Sequence, residues 1–182
     1  MTGGHLRGMG RERQRGSSWV LLAALLTVSA CEGPTLEGPP QPGDRVPELT
    51  EEMLDGAPFS FAGLRGAPVL VNLWATWCAP CRAETPFLQE IHEAYGPRGL
   101  QVVGISMDGA GNRDGVEAFI EEFGVSYTMV HDEGAVAMDR FHVIGLPATF
   151  LLDSDGRFRL IRLGPVSETD EEFLSSLEEL VS

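Results

Sequence analysis

The run VLVNLW, Val69 to Trp74, constrains this chain more than any other stretch. Five of its six residues are apolar, so neither face of an extended segment can turn to water. A strand of that composition must be covered on both sides. Helices packed on both faces of a sheet give that cover, which makes this an α/β chain. The surrounding pattern supplies the helices. Glu84 to Tyr95 has helical spacing and stops at Gly96-Pro97, and QVVGIS, Gln101 to Ser106, is a second buried strand. After the polar loop MDGAGNRDG, Val116 to Phe123 reads as a helix closed by Gly124. Ser126 to Val130 reads as a strand and Gly134 to Phe141 as a short helix. Ala148 to Leu152 and Arg157 to Leu163 are strands joined by the turn Asp153-Ser154-Asp155-Gly156, and Glu168 to Leu180 is a final acidic helix. Ahead of the core, Pro47 to Phe61 with Asp55-Gly56 at its middle predicts a hairpin.

The first residues follow another logic. Arg7, Arg11, Arg13 and Arg15 precede the apolar run WVLLAALLTV, Trp19 to Val28. That run is short of the roughly 20 residues a membrane span needs, but it suits a secretory signal. It leads into VSAC, whose small residues before Cys31 resemble the lipobox of bacterial lipoproteins. Residues 1–30 are therefore expected to be a lipoprotein signal peptide, with Cys31 the lipidated residue. No adjacent arginine pair supports twin-arginine export. Residues 31–46, rich in proline and glycine, read as an extended tether, and residues 47–182 as the folded domain. Without residues 1–30 the chain keeps nine arginines, no lysine, and 26 acidic residues, a net charge of −17. Such a surface repels a phosphate backbone, so nucleic acid is not an expected partner.

Cys78-Ala79-Pro80-Cys81 admits several uses. Structural zinc needs four ligands, and His92, His131 and His142 form no short ligand pair beside it. Copper(I) would accept the two thiolates with a histidine such as His142, and a copper-delivery role is the alternative reading. A purely structural disulfide over so short a loop removes little entropy from the unfolded chain. Redox exchange fits the position best. The pair follows a buried strand and opens a helix, where unpaired backbone N–H groups favour the thiolate of Cys78. Cys81, one turn further, is placed to resolve a mixed disulfide. Pro80 costs no hydrogen bond in a first helical turn.

WCAPC after VLVNLW, a proline five residues past the second cysteine, and GLPATFLLD, Gly145 to Asp153, resemble the thioredoxin superfamily. WCAPCRAETP resembles its membrane-tethered, extracytoplasmic TlpA/ResA-like branch, and the likeness covers Pro47 to Ser182. It implies a thioredoxin-like fold: a central mixed sheet flanked by helices, with an N-terminal hairpin and an insertion between Cys81 and Pro147. It also implies a cis peptide at Pro147, facing the disulfide, with the backbone of Leu146 open to a client peptide. Trp77, Ala79, Pro80 and Leu146 are then expected to contact substrate, and Trp74 and Trp77 either to wall the site or to pack in the core. Thioredoxin carries a buried acid where this chain has Asn72, so a base for Cys81 must come from elsewhere. Glu84, three positions beyond Cys81 on one helix face, is the candidate. Pro86 is expected to kink the helix.

The resulting expectation is a thiol–disulfide oxidoreductase, acting as a reductase through Cys78, Cys81, Glu84 and Pro147. It needs no cofactor beyond its own redox disulfide, and no metal. Its expected partners are disulfide-containing clients such as apocytochrome c and a membrane electron donor of the DsbD/CcdA type. A catalytically idle binding module of the same fold is a further alternative.

Overall fold

A computed structural model of the chain describes Met1 and residues 36–182. The signal segment and Cys31 lie outside these residues. Seven strands form one sheet: β1 (Thr50–Met53), β2 (Pro58–Ser60), β3 (Val69–Trp74), β4 (Gln101–Ser106), β5 (Thr128–His131), β6 (Ala148–Leu152) and β7 (Phe158–Leu163). Their spatial order is β2-β1-β5-β4-β3-β6-β7. β3, β4 and β5 run parallel, whereas β6 pairs antiparallel with β3 and β7, and β1 antiparallel with β2 and β5. The sheet is thus mixed, and the expected hairpin is its β1–β2 edge. All six residues of VLVNLW are buried, as a strand between two neighbours and two covering layers must be.

Four helices flank the sheet: α1 (Ala79–Tyr95), α2 (Arg113–Phe123), α3 (Val136–Arg140) and α4 (Glu171–Leu180). β4, α2, β5 and α3 fill the long interval between Cys81 and Pro147. Gly124 ends α2 in the left-handed region, its N–H bonded to the Glu121 and Ile120 carbonyls. Phe87 of α1 meets Phe173 of α4, and Trp74 of β3 meets Phe119 of α2 with centroids 4.3 Å apart. A second aromatic cluster joins Phe61, Phe141, Phe150 and Phe158 at centroid distances of 5.0 to 5.9 Å. Each such pair contributes about 0.5–1.5 kcal/mol beyond its buried area. Among the described residues, no helix is long and apolar enough to cross a membrane.

α1 starts at Ala79, capped by Cys78, as the placing of the cysteine pair at a helix start implies and ahead of the apolar spacing that begins at Glu84. Pro86 lies inside it. One boundary differs from the sequence expectation: the tether ends earlier than composition suggests. Gly43 N–H bonds to the Phe158 carbonyl, Phe158 N–H to Asp44, and Val46 N–H to Gly156. β7 is an edge strand of the sheet, and its free backbone groups recruit this segment despite the prolines around it.

Candidate active site

β3 ends at Trp74, and the turn Ala75-Thr76-Trp77 delivers Cys78 to the start of α1. Cys78 takes the N-cap position with extended backbone, and its Sγ accepts the Cys81 N–H at 3.3 Å. The two cysteines are disulfide-bonded, with Cα atoms 5.2 Å apart. Cys78 keeps 5% exposure and Cys81 none, so one sulfur residue is outer and the other inner. Ala79 and Pro80 are exposed on the first turn, and Trp77 is 70% exposed beside Cys78. Of the two readings of Trp74, core packing holds: it is buried against Phe119. Gly104 makes room for it: a Cβ there would lie 2.5 Å from Met129 Sδ and 3.1 Å from Trp74 Nε1.

Glu84 lies three positions past Cys81 on the same helix and is buried. Asn72 Nδ2 donates to its Oε1 at 2.8 Å and to Thr149 Oγ1 at 2.9 Å. The Val166 N–H donates to Glu84 Oε2 at 2.9 Å. Burial pushes the carboxyl pKa up to about 7, against the opposing pull of the Val166 and Asn72 hydrogen bonds. A carboxyl titrating there can take or give a proton near neutral pH.

The Leu146–Pro147 peptide is cis. β6 begins at the next residue, and Ala148 pairs with Leu73 on one side and Leu163 on the other. Pro147 therefore stands at the same end of the sheet as Cys78. Leu146 is half-buried, while Ile144 and Leu163 near it are largely open to solvent. Two of the histidines make contacts of their own: His142 Nε2 is 3.3 Å from the Leu36 carbonyl, and His131 Nε2 donates to the Asp108 carbonyl. Among the described residues, no group of three or more His, Cys, Asp or Glu side chains has metal-holding geometry.

Sequence reasoning missed Thr149, Val166 and Asp108. Thr149 hides inside an apolar strand, and Val166 acts through its backbone, so no side-chain signal marked either. Asp108 sat in a loop read only as polar.

The Redoxin family model matches residues 41–180. The thiol-disulfide oxidoreductase ResA of Geobacillus kaustophilus is 30% identical over 75% of this chain and 78% of its own length. ResA of Oceanobacillus iheyensis is 29% identical over 71% of this chain, which spans 66% of that relative's length. A secreted thiol-disulfide isomerase from Corynebacterium glutamicum superposes with a TM-score of 0.66 at 28% identity, covering 75% of this chain and 84% of the other. With its paired cysteines on a thioredoxin-like sheet, this chain belongs to the Redoxin family, among its ResA-like thiol–disulfide oxidoreductases.

Proposed function

We propose that the protein reduces disulfides of client proteins outside the cytoplasm, with Cys78 as nucleophile and Cys81 as resolving thiol. In the reduced form, the Cys78 thiolate attacks one sulfur of a client disulfide. The client S–S bond breaks, a mixed disulfide forms, and one client thiolate leaves. Cys81 then passes its proton to Glu84 and attacks Cys78 Sγ, releasing the second client thiolate. The client gains two electrons and the protein is left as the Cys78–Cys81 disulfide, the form present in the structure. The observation that carries this reading is the Cys78–Cys81 pair at the start of α1, with the Glu84 carboxyl buried within one turn of the fully buried Cys81. Cys78 is activated from the other side, by the backbone N–H aimed at its sulfur.

The working place and partners extend the same proposal. Residues 1–30 export the chain, Cys31 carries lipid, and the domain works tethered to a membrane; the secreted relative supports an extracytoplasmic setting. That space is oxidising, so a reductase requires a membrane donor of the DsbD/CcdA type to restore its dithiol. Clients include apocytochrome c, whose haem-accepting cysteines must be kept reduced. The test is trapping in the native host. Cys81→Ser removes the resolving thiol and should accumulate mixed disulfides on Cys78, which mass spectrometry identifies. An absence of adducts with Cys81→Ser, in cells where client disulfides are present, overturns the assignment.

A further inference from the structure

Two residues ahead of Cys78, the active-site turn is held by a side chain from another strand. Asp108, 1% exposed, follows β4 and reaches across to Thr76. Its Oδ2 accepts the Thr76 N–H at 2.9 Å and the Ser106 hydroxyl at 2.7 Å. Its Oδ1 accepts the Thr76 hydroxyl at 2.6 Å and Asn112 Nδ2 at 2.9 Å. His131 Nε2 donates to its carbonyl at 2.8 Å. One residue thus ties the turn before α1 to β4, the start of α2 and the end of β5. Burial raises the carboxyl pKa, yet the bonds from Thr76, Ser106 and Asn112 outweigh it and hold the group below the usual range.

We infer that Asp108 is a positioning residue for the redox reaction: it fixes Thr76 and thereby holds Cys78 at the N-terminus of α1. The inference rests on Cys78 being the nucleophile. The turn is otherwise closed by the Cys78 N–H on the Ala75 carbonyl at 3.1 Å. Thr76 is bound to Asp108 through both backbone and side chain, so its position follows the carboxylate. A turn free to shift would draw Cys78 Sγ away from the Cys81 N–H that favours its thiolate. Asp132 supplies an internal contrast. It is equally buried, but its carboxylate accepts the Val136 and Ala137 N–H groups at the start of α3 and touches nothing in the active-site turn.

The experiment measures iodoacetamide alkylation of Cys78 against pH in the reduced Cys81→Ser background. Asp108→Asn should raise the thiol midpoint by about one pH unit and slow alkylation at pH 6 by about tenfold. Asp132→Asn should lower the melting temperature comparably and leave alkylation within about twofold. Thr76→Val should reproduce part of the slowing, Thr76→Ser should restore the parent rate, and Thr76→Val should add little once Asn replaces Asp108. The Thr76 variants carry the test if Asp108→Asn fails to fold. Unchanged alkylation in a folded Asp108→Asn protein overturns the inference while leaving the proposed function standing. A midpoint that falls, as loss of a nearby negative charge alone would produce, overturns it as well. A parent Cys78 no more reactive than a free thiol sinks the nucleophile assignment itself.

Discussion

Replacing Glu84 by glutamine separates the charge of this group from its hydrogen bonds. Burial pushes the wild-type carboxyl pKa from its ordinary 4.5 up to about 7. Between those values the unfolded chain has released a proton that the folded chain still holds. The contribution of this group to stability must therefore fall as pH rises from 4.5 towards 7, and level off above. At about 1.4 kcal/mol for each pH unit, the interval amounts to about 3 kcal/mol. Glutamine carries no such dependence. It brings a separate cost, because Asn72 Nδ2 and the Val166 N–H both donate to this site and the new amide must face one of them. That cost is about 1–3 kcal/mol and does not vary with pH. Guanidinium unfolding of the oxidised proteins at pH 4.5, 6, 7 and 8 measures the difference. Glu84→Gln should gain about 3 kcal/mol on wild type between the lowest and highest pH. Two stability curves that run parallel across this range would refute the claim that burial raises the Glu84 pKa.

Asn72→Leu removes one of the two hydrogen bonds that oppose burial, so Glu84 should titrate above about 7, visible as an upward move of the protonated-carboxyl infrared band's midpoint. Phe141→Ala empties the centre of the second aromatic cluster and should cost about 3–5 kcal/mol in denaturant unfolding. Asp170→Ala removes the side chain that caps α4 through the Phe173 N–H, which alone should cost about 1–2 kcal/mol. The same carboxylate also takes a two-pronged, half-buried pair from Arg162, so the loss should exceed the capping figure and shrink at high salt.

Much of the fold was legible because its signals are local. VLVNLW and QVVGIS had no polar face, and the structure pairs them in parallel, Val69 opposite Gln101 through Trp74 opposite Ser106. Asp55-Gly56 marked the turn between β1 and β2, and Gly124 marked the end of α2. The start of α1 followed from the cysteine pair and Pro80, not from an apolar stripe, which its first turn lacks. The segment from Gln41 to Val46 was misjudged: composition reports what a segment can bury, not which backbone groups of an edge strand lack partners. In the site, Cys78, Cys81 and Glu84 followed from spacing on one helix. Asp108 did not: Ser106 and Asn112 are its near neighbours in sequence, but the contacts that tie it to the site come from Thr76 and His131, 32 and 23 residues away.

Asn72 and Glu84 make one argument together. A strand acid at position 72 would compete with Glu84 for the same buried space, and two carboxylates there could not both ionise. Asparagine removes that conflict and reverses the polarity of the contact. Its amide donates to Glu84 Oε1 with one hydrogen and to Thr149 Oγ1 with the other, so both Nδ2 donors are used. The ionised form of Glu84 is then supported by two donors at once, Asn72 and Val166, in a place where burial alone would drive the pKa higher still. The balance between those bonds and desolvation is what sets the group near neutrality. A buried carboxyl on the helix thus calls for a donor on the strand, and residue 72 supplies it.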